Sequence, residues 1–141
     1  MRTKSVIAAA AAMAAALCLG VFFPRPAGAM LPQPAEKAVM LSVTAFSDSS
    51  GVTSRYTEDP AQISHFLSEL SRIRIIPSPT GAANPHPACS YCFTIYYKAD
   101  MTFFELTEQG DICWNGKQCS LFGSPAALNS LFQLSERWTQ V

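Results

Sequence analysis

Cys89, Cys92, Cys113 and Cys119 are the side chains of this 141-residue chain best suited by type and spacing to do chemistry. Three chemistries compete for them. In an oxidising compartment an even set of cysteines reads first as two disulfides, which four thiols can form in three pairings. Loop-closure entropy favours the local choice, Cys89–Cys92 with Cys113–Cys119. The hairpin signal Asn115-Gly116 decides whether the second bridge can close. A two-residue turn sets Cys113 opposite Gln118 and points Cys113 and Cys119 to opposite faces, whereas a three-residue turn with a bulge sets the two cysteines opposite one another. The spacing C-x2-C-x20-C-x5-C also suits a zinc ribbon, although its last gap is wider than the usual one and thiolates outside the cell tend to oxidise. Cys89-Ser90-Tyr91-Cys92 would serve as a redox pair if it opened a helix, whose N-terminus lowers a thiol pKa, but a strand is expected to follow it.

Other chemistry has little to stand on. His65 falls off the apolar stripe of its helix and is expected in solvent, and His86 sits between two prolines with no acid beside it to orient it. Glu105, Glu108 and Asp111 are close in sequence but lie where hairpin ends ordinarily carry charge. The chain has no G-x-S-x-G, no H-E-x-x-H and no Gly-rich phosphate loop. A non-enzymatic role without a cofactor is therefore the expectation.

The N-terminus sets the compartment in which those thiols would work. Arg2 and Lys4 are followed by a charge-free run from Val6 to Phe23, then Pro24, then Ala27-Gly28-Ala29. Basic start, apolar run, breaker and A-x-A make a secretory signal over residues 1–29, cut after Ala29. The run is at the lower limit for spanning a bilayer and is built mostly of Ala, which contributes little to insertion. Acylation of Cys18 fits poorly, because bulky Leu17 precedes it. Without residues 1–29 about 112 residues remain, with seven basic side chains against ten acidic, a net charge of about −3. That balance argues against nucleic acid, whose binding rests on clustered Lys and Arg. No apolar run of membrane-spanning length remains after residue 29.

The elements follow from pattern. Residues 30–37 read as a leader and 38–141 as one domain. Ala38 to Phe46 and Val52 to Thr57 form a hairpin across the turn Ser47 to Gly51. Asp59-Pro60-Ala61-Gln62 is a helix start, and Ile63, Phe66, Leu67 and Leu70 make one apolar stripe behind it. Ile73, Ile75 and Ile76 suggest a short extended piece. Pro77 to Ala88, with four prolines, is a surface loop. Cys92 to Lys98, Met101 to Thr107, Ile112 to Trp114 and Lys117 to Phe122 read as successive strands. Ser124-Pro125 opens a second helix with Leu128, Leu131, Phe132 and Trp138 as its stripe. The sum is an α+β fold: an antiparallel sheet of hairpins with two amphipathic helices packed on one face.

The run T-x-D-P-x-x-I-x-x-F-L-x-x-L (Thr57 to Leu70), followed by T-I-Y-Y-K (Thr94 to Lys98) and N-G-K (Asn115 to Lys117), resembles small exported or lipid-anchored α+β domains of Gram-positive bacteria, most of them without an assigned function. The resemblance implies the fold and the compartment. It supplies no site residues, and those domains usually lack these cysteines.

A turn at Ala99-Asp100 would place Tyr96 opposite Phe103 and Thr94 opposite Glu105. Phe93, Ile95, Tyr97, Phe104 and Leu106 make the more apolar face and should meet the helices. Tyr96, Met101 and Phe103 then point to the far side of the sheet, a candidate binding patch for an unknown protein or cell-surface component.

Overall fold

The computed structural model describes residues 2–47, 51–77, 91–106 and 111–141. Residues 48–50 and 107–110, where turns are expected from the sequence, and residues 78–90, with His86 and Cys89, lie outside the described residues, as does Glu108. A helix, α1 (Arg2–Phe22), leads to a two-residue strand, β1 (Arg25–Pro26), and a 3-10 turn, Ala27–Met30. After a second 3-10 turn (Ala35–Lys37) the chain forms β2 (Ala38–Ser47), β3 (Gly51–Thr57), α2 (Pro60–Arg72) and β4 (Arg74–Pro77). It continues as β5 (Tyr91–Tyr97), β6 (Met101–Leu106), β7 (Asp111–Trp114), β8 (Lys117–Phe122), α3 (Asn129–Ser135) and β9 (Thr139–Gln140). Among the described residues, no helix is long and apolar enough to cross a membrane.

All strand pairings are antiparallel and join into one sheet, ordered β1-β4-β8-β7-β6-β5-β2-β3-β9. Period-two alternation sorts its side chains. On one face Leu41, Val43, Phe93, Ile95, Phe104, Leu106, Ile112 and Trp114 are buried. Phe93 lies within ring contact of Phe66 from α2, at 5.3 Å between centroids, and of Phe132 from α3, at 6.4 Å. Trp114 stacks on Phe104 at 4.8 Å, extending the aromatic layer toward β8.

α2 forms as its sequence dictates. The Asp59 carboxylate accepts the Ala61 amide at 3.0 Å, Pro60 occupies the first turn, and Ile63, Phe66, Leu67 and Leu70 are buried. The capping box is relayed: Gln62 Oε1 accepts from the Thr57 hydroxyl, whose oxygen in turn accepts the Asp59 amide at 3.2 Å. His65 is exposed, as expected.

Two elements differ from the sequence reading. The second helix begins as a 3-10 turn (Pro125–Leu128), with Ser124 accepting the Ala126 amide, and ends at Ser135. Trp138 therefore lies beyond it, buried by the turn into β9 and packed edge-on to Phe66 at 5.1 Å. Arg25 and Pro26, read as part of a signal over residues 1–29, form a strand at the sheet edge: Arg25 pairs with Ile75 and Pro26 with Arg74.

Candidate functional site: the far face of the sheet

The face away from Phe66 is assembled in cross-strand rows. Met40, Tyr96 and Met101 make the first; Tyr56, Ser42, Thr94 and Phe103 the second; Ser54, Thr44, Cys92, Glu105, Cys113 and Gln118 the third. Tyr96, Met101 and Phe103 are thus on one face, as their spacing predicts, but their pairing is not the expected one. Tyr96 opposes Met101 and Thr94 opposes Phe103. The connection takes four residues, Tyr97 to Asp100, rather than two. The Tyr97 amide donates to the Asp100 carbonyl at 2.8 Å, and the Asp100 carboxylate accepts the Met101 amide at 2.8 Å. Tyr97 buries its ring and donates its hydroxyl to the Gln33 carbonyl at 3.3 Å, which anchors the turn. Lengthening a hairpin loop by two residues slides the register by two, so every side chain keeps its face. Met101 is 57% exposed, and Tyr96 and Phe103 are half-buried beside it.

The third row brings an acid between two thiols. Glu105 opposes Cys92 on one side and Cys113 on the other. Burial pushes the Cys92 thiol up, the Glu105 carboxylate adds to it, and a hydrogen bond with Thr94 offsets part. Cys113 is raised by burial and by Glu105, against a backbone bond at Gly116. Cys119 is raised by burial and by the neighbouring Cys113, against a Trp114 backbone bond and Lys117. In each case burial favours the thiol over the thiolate, the form that attacks disulfides.

The Asn115-Gly116 turn takes two residues, with φ of 47° and 80°. Trp114 therefore pairs with Lys117, Cys113 with Gln118 and Ile112 with Cys119. Cys113 faces the far side and Cys119 the core, so the Cys113–Cys119 bridge cannot form, and both are free cysteines, as is Cys92. Cys92 and Cys113 are separated by the whole of β6, two strand spacings of about 4.8 Å each, beyond the reach of about 7 Å between Cα atoms that a bridge allows. The same register defeats the four-cysteine zinc set, because a tetrahedral ion cannot draw Cys113 and Cys119 from opposite faces. Among the described residues, no group of three His, Cys, Asp or Glu could hold a metal ion. Cys92 is the second residue of β5, and thus lies in a strand.

These thiols have two measurable consequences. Alkylation near neutral pH should modify Cys113 and Cys119 far more slowly in the folded chain than after unfolding, and peptide mapping should find no Cys113–Cys119 cross-link. The ordinary thiol value is 9.0, and folding holds all three above it. As pH rises past 9 the unfolded chain loses these protons first, so the folded state binds more protons and stability falls; below 9 their contribution is constant. Urea unfolding at about pH 7 and about pH 10 should show that loss, and Cys113→Ser with Cys119→Ser should remove part of it.

Sequence reasoning passed over Arg55, whose alternation in β3 turns it toward the core side. It lines a cleft of about 180 Å³ with Val43, Ala45, Tyr91 and Phe132. Its guanidinium donates to the Glu136 carbonyl at 2.6 Å, at the C-terminus of α3. A cation there satisfies an orphan carbonyl and complements the helix dipole, so the residue has a sufficient structural role. A charge at an inward position of an alternating strand was the signal that could have found it. Compared with protein-family models, curated proteins and solved structures, the chain matches none, and the reading of its function rests on its own residues.

Proposed function

We propose that this chain is an exported, non-enzymatic binding module that recognises a protein or cell-surface component through the far face of its sheet. The observation that carries the reading is Met101, 57% exposed on a strand with Tyr96 opposite and Phe103 two residues on. Ser42 and Thr94, which share this face, are small and polar. Aromatic and Met clusters of this kind dominate recognition surfaces. Export is supported by the basic start, the charge-free run and the A-x-A motif. Both helices are read as covering the opposite face, since Phe66 and Phe132 reach the same ring, Phe93. The alternative reading, a zinc-binding or thiol-redox protein, is weakened in its thiol-redox form by burial that raises three thiols, and in its zinc form by Cys113 and Cys119 turned to opposite faces.

The test is Met101→Asp. A surface change of this kind should leave stability within about 0.5 kcal/mol. Capture of whatever the wild-type domain binds from the exterior fraction of its cell should be lost, because a desolvated carboxylate would face an apolar partner. A stable Met101→Asp protein that captures the same component as well as the wild type would move the function off this face.

A further inference from the structure

We propose that Arg25–Leu31 is a resident part of the folded domain, so that the Ala29–Met30 bond is a processing site which folding closes. Ala27 is 2% exposed, and its amide donates to the Ile73 carbonyl at 2.7 Å. Its methyl closes a wall shared with Leu70, Ile75, Trp114 and Leu131, behind which only about 10 Å³ of space remains. Gly28 follows at a close approach to α2: a Cβ placed there would lie 3.2 Å from the Ser71 Cβ. The Leu31 amide then donates to the Gly28 carbonyl at 3.2 Å, and Met30 and Leu31 pack against the core.

The two roles of this segment exclude each other in space. Signal peptidase reads the small side chains of Ala27 and Ala29. In the folded chain those residues form a 3-10 turn, and the Ala27 methyl is already committed to the core. A cut after Ala29 would also remove β1, leave the Ile73 carbonyl without its donor and bare the outer edge of β4. An exposed edge invites pairing with other chains, and β1 guards it with Pro26, a residue suited only to edge strands. The domain is complete only with these residues in place. The export machinery and the fold therefore compete for one short segment, and the fold keeps it. The inference concerns processing and does not depend on the far-face reading.

The test uses the full chain with its own N-terminus, exported by a host and isolated folded. Intact mass should show a product that retains Arg25–Ala29, whether whole or cut before Arg25. A product beginning at Met30 as the main species would overturn the proposal. Hydrogen exchange on the full chain should protect the Ala27 amide along with its partner strand β4, and exchange at the rate of an unstructured amide would overturn it as well. Gly28→Val keeps both alanines that the peptidase reads but crowds the 3.2 Å approach to Ser71, so that α2 must give way to seat the segment. It should raise the Met30 product several-fold, and no rise would remove folding as the cause.

Discussion

Phe93→Ala should destabilise the domain by about 3–5 kcal/mol, the range for a fully buried phenylalanine truncated in a core. Phe93 is 1% exposed on β5, a strand paired on both sides. Its ring meets Phe104 at 5.2 Å within the sheet, Phe66 at 5.3 Å from α2 and Trp138 at 6.3 Å from the C-terminal turn. Those neighbours are fixed by separate elements, so they cannot close together over the hole, and the cavity term should be near its upper end. Domains of this size are stable by only about 5–15 kcal/mol, which makes the loss a large fraction of the whole. Urea unfolding should show a lower midpoint with an unchanged slope. Tyr91→Ala makes the comparison. Tyr91 is half-buried and stacks on Phe132 at 4.3 Å, so its truncation should cost clearly less. Equal losses at the two positions would mean that Phe93 does not join the helices to the sheet.

What could be read in the sequence was whatever local chemistry determines. The Asp59-Pro60 cap and the stripe Ile63, Phe66, Leu67, Leu70 determine α2, and Asn115-Gly116 marks a hairpin, whose two-residue length is set only by the Trp114–Lys117 pairing. Alternation alone sorts Phe93, Ile95 and Phe104 from Tyr96 and Phe103. What escaped depends on neighbours distant in sequence. The Tyr96–Met101 pairing turned on Tyr97, whose ring is needed in the core and is anchored by Gln33 from a segment more than sixty residues earlier. A bond of that separation carries no local signature. β1 escaped because a Pro-bracketed arginine after an apolar run has the composition of a processing site, and only the presence of β4 makes it a strand. Glu105 between two thiols was equally invisible, since that row exists only once three strands are in register. The site was legible in its residue types and its face, and not in its rows.

Thr102→Val should cost about 1–3 kcal/mol although it preserves volume, because it strands donors rather than opening a cavity. Thr102 is fully buried on β6, and its hydroxyl oxygen accepts from Trp114 Nε1 at 3.2 Å and from Asn115 Nδ2 at 2.8 Å. Asn115 also receives the Phe103 amide on its Oδ1 at 2.9 Å and donates its own amide to the Phe103 carbonyl at 2.9 Å. Through these bonds one turn residue continues the β6–β7 ladder past its last strand pair. Asn115 is exposed and can turn its donor to water, but the Trp114 ring is buried and cannot. The penalty should therefore come chiefly from Trp114. Thr102→Ser keeps the acceptor and should cost less than Thr102→Val, while Trp114→Phe with Thr102→Val should cost less than the sum of the two single changes. Strict additivity would show that the indole bond carries nothing. The same bonds hold β6 in the register that turns Met101 and Phe103 outward on either side of Thr102. On the proposed function, Thr102→Val should thus weaken capture by the far face even in the folded protein, with Met101, Tyr96 and Phe103 all untouched.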